Sequence, residues 1–378
     1  MKEYVIYKKQ IYIYGVGFKG VQLFYRLKEA GYDISGFLDQ YETGRLFEKN
    51  IIHPDNLPPE SFVLISSEQY YGEMKAKLVS KGLKEFDDFI KGDAFEKKIV
   101  VLIANCYAEH ISAYLNSNKE FTSRYFIYQI IKLNNPEKKY TLDDTIMKKS
   151  DVCIYQNFLN AKVFGADFFQ ENIEKKLSRT CKKVVIPNLV GMGKIFYIQA
   201  EKNERASIGW YKKCKMFECK DIVIDKLISD GMSVEEIQNY IKHRLVFSKE
   251  EVVENFNYII EKFKLREKNC DVKITDFILE NYKNYQMFYD LYHASAKVIS
   301  EMTRRILIEL GIENTKLSEQ EFEYSGGEMP IYKDIAKALN LKYWSEDGEI
   351  RKKSYRKYTD VMNLDEYIKE YIFLKDVD

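Results

Sequence analysis

Short apolar segments alternate with longer amphipathic segments over residues 10 to 90 of the chain. Apolar runs bounded by Gly, Pro or Asp indicate buried strands, and apolar residues spaced three and four apart indicate helices. The resulting order, β-α-β-β-α, is about half of a doubly wound α/β fold. The predicted strands are 11–14, 33–38 and 62–66; one predicted helix ends at Ala30 and the other covers 69–81.

A second alternation of strands and helices begins at Ile99. Strands that alternate with helices at this spacing predict a parallel sheet. Thr141-x-x-Asp144 is typical of a capping box, which favours a helix start at that point. The predicted strands are 99–104, 125–130, 151–155 and 184–187, and the predicted helices begin at 107, after Thr141 and near Asp167.

From about Asp221 the pattern becomes helical. Two segments open with a Ser that is followed three residues later by a Glu, which is the capping-box signature, and apolar residues at helical spacing follow each of them. These boxes are Ser233–Glu236 and Ser248–Glu251, and a further amphipathic helix covers Ala294–Leu310 and stops at Gly311.

The pattern therefore predicts an α/β protein in three parts. Residues 1–92 form a small N-terminal lobe, and residues 93–345 form a parallel-sheet domain whose C-terminal part is helical. Ser325-Gly326-Gly327 breaks the chain before a final helix. Residues 346–378 alternate acidic and basic side chains, so we expect a charged, solvated tail.

The length, net charge and hydropathy of the chain argue against some classes of protein, among them nucleic-acid-binding and membrane-spanning proteins. At 378 residues the chain is too long for one ordinary core. Lys and Arg number 59 against 58 Asp and Glu, so a net charge of +1 gives no footprint for nucleic acid. No apolar run approaches the roughly 18 residues of a membrane span, and the start MKEYVIYKKQ lacks the features of a signal peptide. We expect a cytoplasmic protein; an oligomer is compatible with the sequence.

The cysteines are widely scattered, and in a reducing compartment we expect free thiols. Cys214 and Cys219 have neither a second cysteine pair nor a nearby His, so no metal site is expected. The six cysteines are Cys106, Cys153, Cys181, Cys214, Cys219 and Cys270.

A glycine-rich turn follows the first predicted strand. Gly15-x-Gly17-x-x-Gly20 opens a helix, and Asp39 lies at the end of the next strand. A nucleotide or nucleotide sugar needs this context, since glycines allow close approach, helix N–H groups bind phosphate and the carboxylate binds ribose hydroxyls. The alternative is a tight turn that binds nothing. The unit resembles the small Rossmann-like modules at the front of sugar acyltransferases, not all of which bind a ligand.

The segment KIVVLIANCYAEH passes from an apolar strand to a helix at Asn105-Cys106. A thiol at that position meets exposed backbone N–H groups and the helix dipole, which favour a thiolate and any oxyanion formed nearby. The alternative is a buried, inert cysteine at a strand end.

Two further polar segments could act together with the strand-to-helix junction at Asn105-Cys106. Gln156-Asn157 follow the strand that ends near residue 155, and Asp290-x-x-His293 precedes a long helix. Because strand C-termini share one edge of a parallel sheet, we expect Cys106 and the amides to converge there. A nucleophile needs a base, the base needs an orienting carboxylate, and the oxyanion needs fixed donors.

Two histidines are candidates for the base, His293 and His110. His293 is one of four histidines, the others being His53, His110 and His243. His110 lies four residues after Cys106 and would share its helix face. Asp290 could equally be a solvated residue before a helix, and any of the histidines could be a surface or core residue.

The order of a nucleophile after the first strand, an amide after a later strand and a late D-x-x-H is similar to SGNH hydrolases and to acyltransferases that share their fold. More specifically, residues from about 98 to 340 resemble the WcbI-type polysaccharide biosynthesis enzymes of capsule gene clusters. The segments that carry the resemblance are VVLIANCYAEH, SDVCIYQNF, KVVIPNL, DVKITDFI, YHASAKVISEMTRRIL and MPIYKDIAKALNL.

The chain departs from the motifs of that family at several positions. In the family a G-N-C-Q motif holds the first position, so Asn105 and Cys106 match whereas Ala104 and Tyr107 differ. The later N-H-P-S element reads YHAS over residues 292–295. The resemblance implies an SGNH-like α/β domain, coenzyme A binding and acetyl transfer to a sugar of a surface polysaccharide.

The favoured interpretation is an acyltransferase that uses acyl-coenzyme A, such as acetyl-coenzyme A, on a nucleotide-linked or lipid-linked sugar. Cys106 is the expected nucleophile or organiser of the acyl site, and His293 is the base oriented by Asp290. Asn105, with Gln156 or Asn157, would supply oxyanion donors. Two alternatives stay open: a carbohydrate esterase with the same residues, and a non-catalytic component of a polysaccharide assembly complex that binds a nucleotide sugar or coenzyme A.

Overall fold

The computed structural model describes residues 10–135, 138–158, 164–203, 219–318, 328–351 and 361–375. Cys214 and the predicted break at Ser325-Gly326-Gly327 lie outside these residues. The chain forms two compact units. The first unit holds the described residues of Met1–Ala108, Lys119–Ile154 and Asn160–Lys183, and the second holds those of Glu109–Asn118, Tyr155–Leu159 and Val184–Asp378.

A six-stranded sheet forms the N-terminal part of the first unit. Its strands are β1 (Gln10–Tyr14), β2 (Ile34–Leu38), β3 (Gly44–Leu46), β4 (Lys49–Ile52), β5 (Ser61–Ile65) and β6 (Phe89–Lys91). In the order β3-β4-β2-β1-β5-β6 every neighbouring pair is parallel except the antiparallel β3 and β4. Helices α1 (Phe18–Glu29) and α2 (Tyr71–Ser80) follow β1 and β5. The predicted strands and helices of this region are therefore confirmed.

The β3–β4 hairpin was not predicted from the sequence. Phe47 and Glu48 form its turn with φ angles of 49° and 60°, the left-handed region that hairpin turns usually fill with Asn or Gly. The Phe47 ring stacks on Phe24 with centroids 4.8 Å apart. The Phe47 ring thus packs on α1, although neither Phe47 nor Glu48 is a residue type that predicts a turn.

A second sheet begins with β7 (Lys98–Ala104), so β1 and β7 belong to different sheets. The other strands are β8 (Tyr125–Lys132), β9 (Val152–Gln156) and β10 (Lys182–Ile186), in the order β10-β9-β7-β8. β7 and β8 are parallel, as predicted. The helices of this region are α3 (Ala108–Ser117), α4 (Lys119–Arg124), α5 (Asp144–Lys149) and α6 (Gln170–Lys176).

The start of α5 has a different cap from the predicted one. The Asp143 carboxylate, rather than Thr141, accepts hydrogen bonds from the N–H groups of Thr145 at 2.9 Å and Ile146 at 3.1 Å. Asp is as good an N-cap as Thr or better, so the helix is where the pattern placed it, but the cap lies two residues after Thr141.

Within the first unit, a buried polar cluster joins the N-terminal sheet to β8. The hydroxyls of Tyr71 and Tyr128 both donate to Glu85 and lie 2.8 Å apart. Lys91 donates to the Tyr128 carbonyl at 3.1 Å and sits over both tyrosine rings. These contacts satisfy the buried polar groups. The predicted domain boundaries at residues 92 and 345 stay predictions.

Helices dominate the second unit. They are α7 (Ile222–Ser229), α8 (Val234–His243), α9 (Lys249–Glu267), α10 (Thr275–Asn281), α11 (Ala296–Glu309), α12 (Lys333–Leu339) and α13 (Leu364–Lys375). Two short antiparallel pairs accompany them, β11 (Ala200–Lys202) with β12 (Cys219–Asp221) and β13 (Ile350–Arg351) with β14 (Val361–Met362). Both predicted capping boxes are present, at Ser233–Glu236 and Ser248–Glu251.

The expectation of a solvated C-terminal tail is wrong for α13. Tyr367, Ile368 and Tyr371 are buried on one face of this helix. Their apolar surface outweighs the interleaved charges, because burying one large side chain stabilises by about 1.5–3 kcal/mol. Glu366 and Lys369 are exposed, whereas Asp365 and Lys375 are half-buried and pair with Lys242 and Asp225.

A buried aspartate, Asp221, connects this helix to α7. Asp221 caps α7 through the N–H groups of Val223 and Ile224 and accepts the Tyr332 hydroxyl at 2.7 Å. Its own N–H donates to the Tyr371 hydroxyl at 2.8 Å. Asp221 is therefore hydrogen-bonded to both Tyr332 and Tyr371 in this buried junction.

Candidate functional site

The turn before α11 holds an aspartate and a histidine together. His293 Nδ1 lies 2.8 Å from Asp290 Oδ2 and 3.0 Å from Oδ1. Asp290 Oδ1 also accepts the N–H groups of Tyr292 at 2.7 Å and His293 at 2.8 Å. The carboxylate thus holds the ring and the backbone of the turn at once. Because the carboxylate accepts from Nδ1, the basic nitrogen of the neutral ring is Nε2.

Burial sets the electrostatics of this pair. Asp290 is 3% exposed. Burial alone would raise the pKa of its carboxyl, but the His293 ring and the two backbone N–H groups overcome that effect, so the pKa lies below its usual value. Asp290 is therefore an ionised partner that can stabilise a protonated His293.

A glycine that the sequence did not single out supports this turn. A Cβ on Gly193 would lie 1.8 Å from the carbonyl oxygen of Asp290, so the backbones touch there. The N–H of Gly191 donates to the Leu291 carbonyl at 2.9 Å. The segment around Gly193 thus supports the turn through its backbone. The spacing Gly191-x-Gly193 was the only sequence signal, and it points to no partner.

Asn105 and Cys106 form the corner between β7 and α3. Asn105 is buried, and its side-chain oxygen accepts the Tyr107 N–H at 3.1 Å. Its carbonyl accepts the Ala108 N–H at 3.0 Å, which closes the turn. Cys106 is half-buried. The strand-to-helix junction is confirmed. The convergence of Cys106 with the two amides stays a prediction, and so does the role of His293 as its base.

The other described cysteines have different surroundings. Cys153, Cys181, Cys219 and Cys270 are all buried, and each is a free thiol. Burial raises the pKa of Cys270 to about 12 and that of Cys153 well above its usual value. Among the described thiols Cys106 is thus the one with partial solvent access, which suits a reactive role better than a buried position does.

The two amides lie at the end of β9 as predicted. Gln156 is buried, and its Nε2 donates to the Pro187 carbonyl at 3.4 Å. The Asn157 N–H donates to the Ile186 carbonyl at 2.9 Å, and its side chain hydrogen-bonds the Cys270 thiol. Both residues therefore also stabilise the local fold, and their role as oxyanion donors stays a prediction. His110, the competing base, is half-buried on α3.

The glycine turn after β1 has structural reasons for two of its three glycines. Gly15 has φ +104°, and a Cβ on Gly20 would lie 1.9 Å from the Gly15 carbonyl oxygen. Gly17 caps α1 and has open space around its Cα. Asp39 Oδ2 accepts the Val16 N–H at 3.4 Å, so it binds the turn itself. Nucleotide binding at this turn stays a prediction.

Comparison with models of known families matches residues 99–315 to the family described as polysaccharide biosynthesis enzyme WcbI. The chain belongs to the WcbI family. The match starts in β7, contains the corner with Cys106 and the Asp290–His293 pair, and ends after α11. The N-terminal sheet lies outside it.

A solved structure of WcbI shares the fold, with a TM-score of 0.59 at 14% identity. The alignment covers 75% of this chain and 91% of the other. That structure is described as a novel polysaccharide biosynthesis enzyme, in its native form without a disulfide bond between coenzyme A and one of its cysteines. A comparison with curated proteins finds no match.

Two features are absent from the residues that the structure describes. No helix among them is long and apolar enough to cross a membrane. Within the same residues, no group of three or more His, Cys, Asp or Glu side chains could hold a metal ion.

Proposed function

We propose that this WcbI-family chain transfers an acyl group, in the first instance acetyl, from acyl-coenzyme A to a hydroxyl of a sugar used in surface or capsular polysaccharide biosynthesis. The observation that carries the proposal is the Asp290–His293 pair, in which a buried, ionised carboxylate holds Nδ1 of the ring at 2.8 Å. That arrangement makes Nε2 a general base.

The proposed reaction conserves every atom. His293 Nε2 takes the proton of the sugar hydroxyl, the oxygen attacks the thioester carbonyl, and the C–S bond breaks. The coenzyme A thiolate then takes the proton back from His293. Asp290 stabilises the positive ring between the two proton transfers. The products are the acylated sugar and free coenzyme A.

Cys106 has the proposed role of nucleophile or organiser of the acyl site. As a nucleophile it would carry the acyl group as a thioester before the sugar receives it. Asn105, with Gln156 or Asn157, is proposed to donate to the oxyanion. The donor implies a cytoplasmic reaction, and the acceptor is a nucleotide-linked or lipid-linked sugar.

The test uses the full chain with acetyl-coenzyme A and a panel of nucleotide sugars. Release of coenzyme A thiol and the mass gain of the sugar are measured together, since transfer requires both. We expect His293→Gln to lower the rate by about 10²–10⁴-fold, and the surface variant His243→Gln to leave it unchanged. Thiol release without sugar acylation would favour hydrolysis, and deacetylation of acetylated sugars without coenzyme A would favour the esterase alternative.

A binding measurement separates the non-catalytic alternative. A ligand that binds only the folded state stabilises it by about 2.7 kcal/mol at a hundred times its dissociation constant. We expect coenzyme A to raise the melting temperature of the wild type and of His293→Gln alike. Stabilisation by coenzyme A with no transfer to any sugar would instead support a binding component.

A further inference from the structure

An open cavity of about 120 Å³ lies in the second unit, between the segment after α10 and residues 328–331 and 343–350. A water-sized group needs about 10–15 Å³ of such space, so the cavity accommodates roughly ten of them. That size matches one pyranose ring with its hydroxyls. It is too small for a whole coenzyme A molecule.

The cavity has one aromatic wall that is fixed in place. Trp344 lines it, and its indole N–H donates to the Ile331 carbonyl at 2.8 Å. The N–H of Lys342 donates to the Lys283 carbonyl at 2.7 Å and anchors the same segment. A fixed aromatic face suits the C–H face of a sugar, because the ring face is negative and the C–H groups are weakly positive.

The charge of the cavity selects against anions. Among the described residues that line it, three are glutamates and none is a lysine or an arginine. Lys333 pairs with Glu346, which holds the pKa of that carboxyl below its usual value and offsets its negative charge, so the acidic character of the lining rests on the other two glutamates. Glu328 and Glu349 add further acceptors. Such a cavity repels phosphate and carboxylate but accepts hydrogen bonds from hydroxyl groups.

Hydrogen bonds connect the walls of the cavity to the segment that carries Asp290. Gln286 lines the cavity and donates to the Tyr197 hydroxyl at 3.4 Å, and Tyr197 donates to the Phe288 carbonyl at 2.8 Å. On the other wall, the Met329 N–H donates to the Tyr289 carbonyl at 2.9 Å. The cavity is thus attached to the backbone immediately before Asp290.

We propose that this cavity binds one uncharged pyranose of the acceptor saccharide, stacked on Trp344 and with hydroxyls donating to Glu328 and to the Gln286 side-chain oxygen. The inference rests on the proposed function in one respect, the identity of the acceptor as a sugar. It assigns the acceptor to a place that excludes the phosphates of a nucleotide, so any nucleotide carrier lies outside the cavity.

The experiment is saturation-transfer NMR on the full chain with methyl β-D-glucopyranoside and methyl β-D-galactopyranoside at millimolar concentration, and with glucose 6-phosphate as the charged counterpart. We expect at least one neutral glycoside to bind and the phosphate ester to bind at least tenfold more weakly. Trp344→Ala should weaken binding at least tenfold, and Trp344→Phe should keep most of it. Tyr258→Ala removes an exposed aromatic on α9 and is the matched control.

Each outcome decides one question. Glycoside binding that Trp344→Ala and Glu328→Gln leave unchanged overturns the cavity assignment, and so does competition of coenzyme A for the bound glycoside. Acyl transfer without such binding overturns this inference and leaves the proposed function standing. Binding without transfer from any acyl donor keeps the sugar site and overturns the proposed function. If Trp344→Ala fails to fold, Glu328→Gln decides: weaker glycoside binding supports the cavity assignment, and unchanged binding overturns it.

Discussion

Two buried aspartates in the second unit begin with the same geometry and end with opposite properties. Asp221 and Asp290 each accept backbone N–H groups from the residues two and three positions ahead. They are 0% and 3% exposed. They differ in the side chain that approaches them, which is the Tyr332 hydroxyl for Asp221 and the His293 ring for Asp290.

That partner decides the charge state. Burial raises the pKa of Asp221 to about 7 in spite of its three hydrogen bonds. At Asp290 burial acts in the same direction, but a ring that can carry positive charge reverses the outcome. A backbone turn alone therefore does not keep a buried carboxylate ionised. A side chain that can become cationic does, and the ionised carboxylate in turn is the partner that a histidine base needs.

Asp290→Asn is expected to have the largest effect. The amide oxygen can still accept the two backbone N–H groups, but the amide N–H faces Nδ1 of His293 and favours the wrong tautomer. We expect the rate of acyl transfer to fall about 10²–10⁴-fold while the fold survives. Steady-state kinetics and a denaturation curve measure the two effects separately.

Asp276→Asn is the control for that substitution, because Asp276 pairs with Arg305 on the surface and should leave the rate unchanged. An unchanged rate in Asp290→Asn would show that the pair is structural. Asp290→Ala sharpens the contrast, since it removes the acceptor altogether and should cost about 3–5 kcal/mol of unfolding free energy.

Gly193→Ala is expected to lower the free energy of unfolding by about 1–3 kcal/mol, because the new Cβ meets the Asp290 carbonyl and must move backbone. Gly72→Ala is the matched control. A Cβ on Gly72 in α2 meets nothing within 4 Å, so this variant should be neutral or slightly stabilised. Equal stability of the two variants in urea would contradict the close backbone approach at Asp290.

Asp221→Asn should change how stability depends on pH. The folded-state pKa of about 7 lies above the usual 3.8, so the folded chain binds the proton more tightly. Stability from this group is therefore complete below about pH 4 and is lost as the pH rises to about 7, by at most about 1.4 kcal/mol per pH unit. The wild-type minus variant difference in unfolding free energy should fall across that window, because Asn keeps the cap without titrating.

The sign is opposite at Asp290. Its pKa is depressed, so its stabilisation is present above the unfolded-state value and is lost only as the pH falls through the lower folded-state value. A difference curve for Asp221→Asn that is flat from pH 4 to 7 would remove the contrast between the two carboxylates.

Tyr332→Phe is expected to have the smallest effect. It removes the hydroxyl that donates to Asp221 at 2.7 Å, at a cost of about 0.5–1.5 kcal/mol. Because that hydrogen bond lowers the pKa of Asp221, its loss should move the pH window of the previous comparison upward. Tyr258→Phe, on the exposed part of α9, should change neither quantity.

Local signals predicted much of the fold. Apolar runs placed β1, β5 and β7 to within about two residues, and Ser-x-x-Glu patterns placed the starts of α8 and α9, because strand burial and helix capping depend on neighbours in sequence. The β3–β4 hairpin was not predicted because Phe47 and Glu48 are not residue types that favour turns. The burial of α13 was not predicted because charged residues are interleaved with the apolar residues that pack.

In the candidate site, too, contacts between residues close in sequence were predictable and contacts between distant residues were not. Asp290 and His293 are three residues apart, so their contact was predictable from local chemistry. Gly193 was not, because its partner lies almost a hundred residues further along the chain. Asn105 was predicted as an oxyanion donor, and the structure shows its side-chain oxygen accepting from Tyr107. Which backbone groups a side chain satisfies is decided by the folded geometry.

The β3–β4 hairpin bears on colloidal behaviour. A parallel sheet that ended in β4 would present a row of unpaired backbone groups to any other chain in a crowded cell. β3 covers that row with three residues and places the charged Arg45 on it, with the guanidinium hydrogen-bonded to Asn50. A short, charged edge strand is a poor template for the addition of strands from other chains. The hairpin therefore lowers the tendency of this sheet edge to form fibrils.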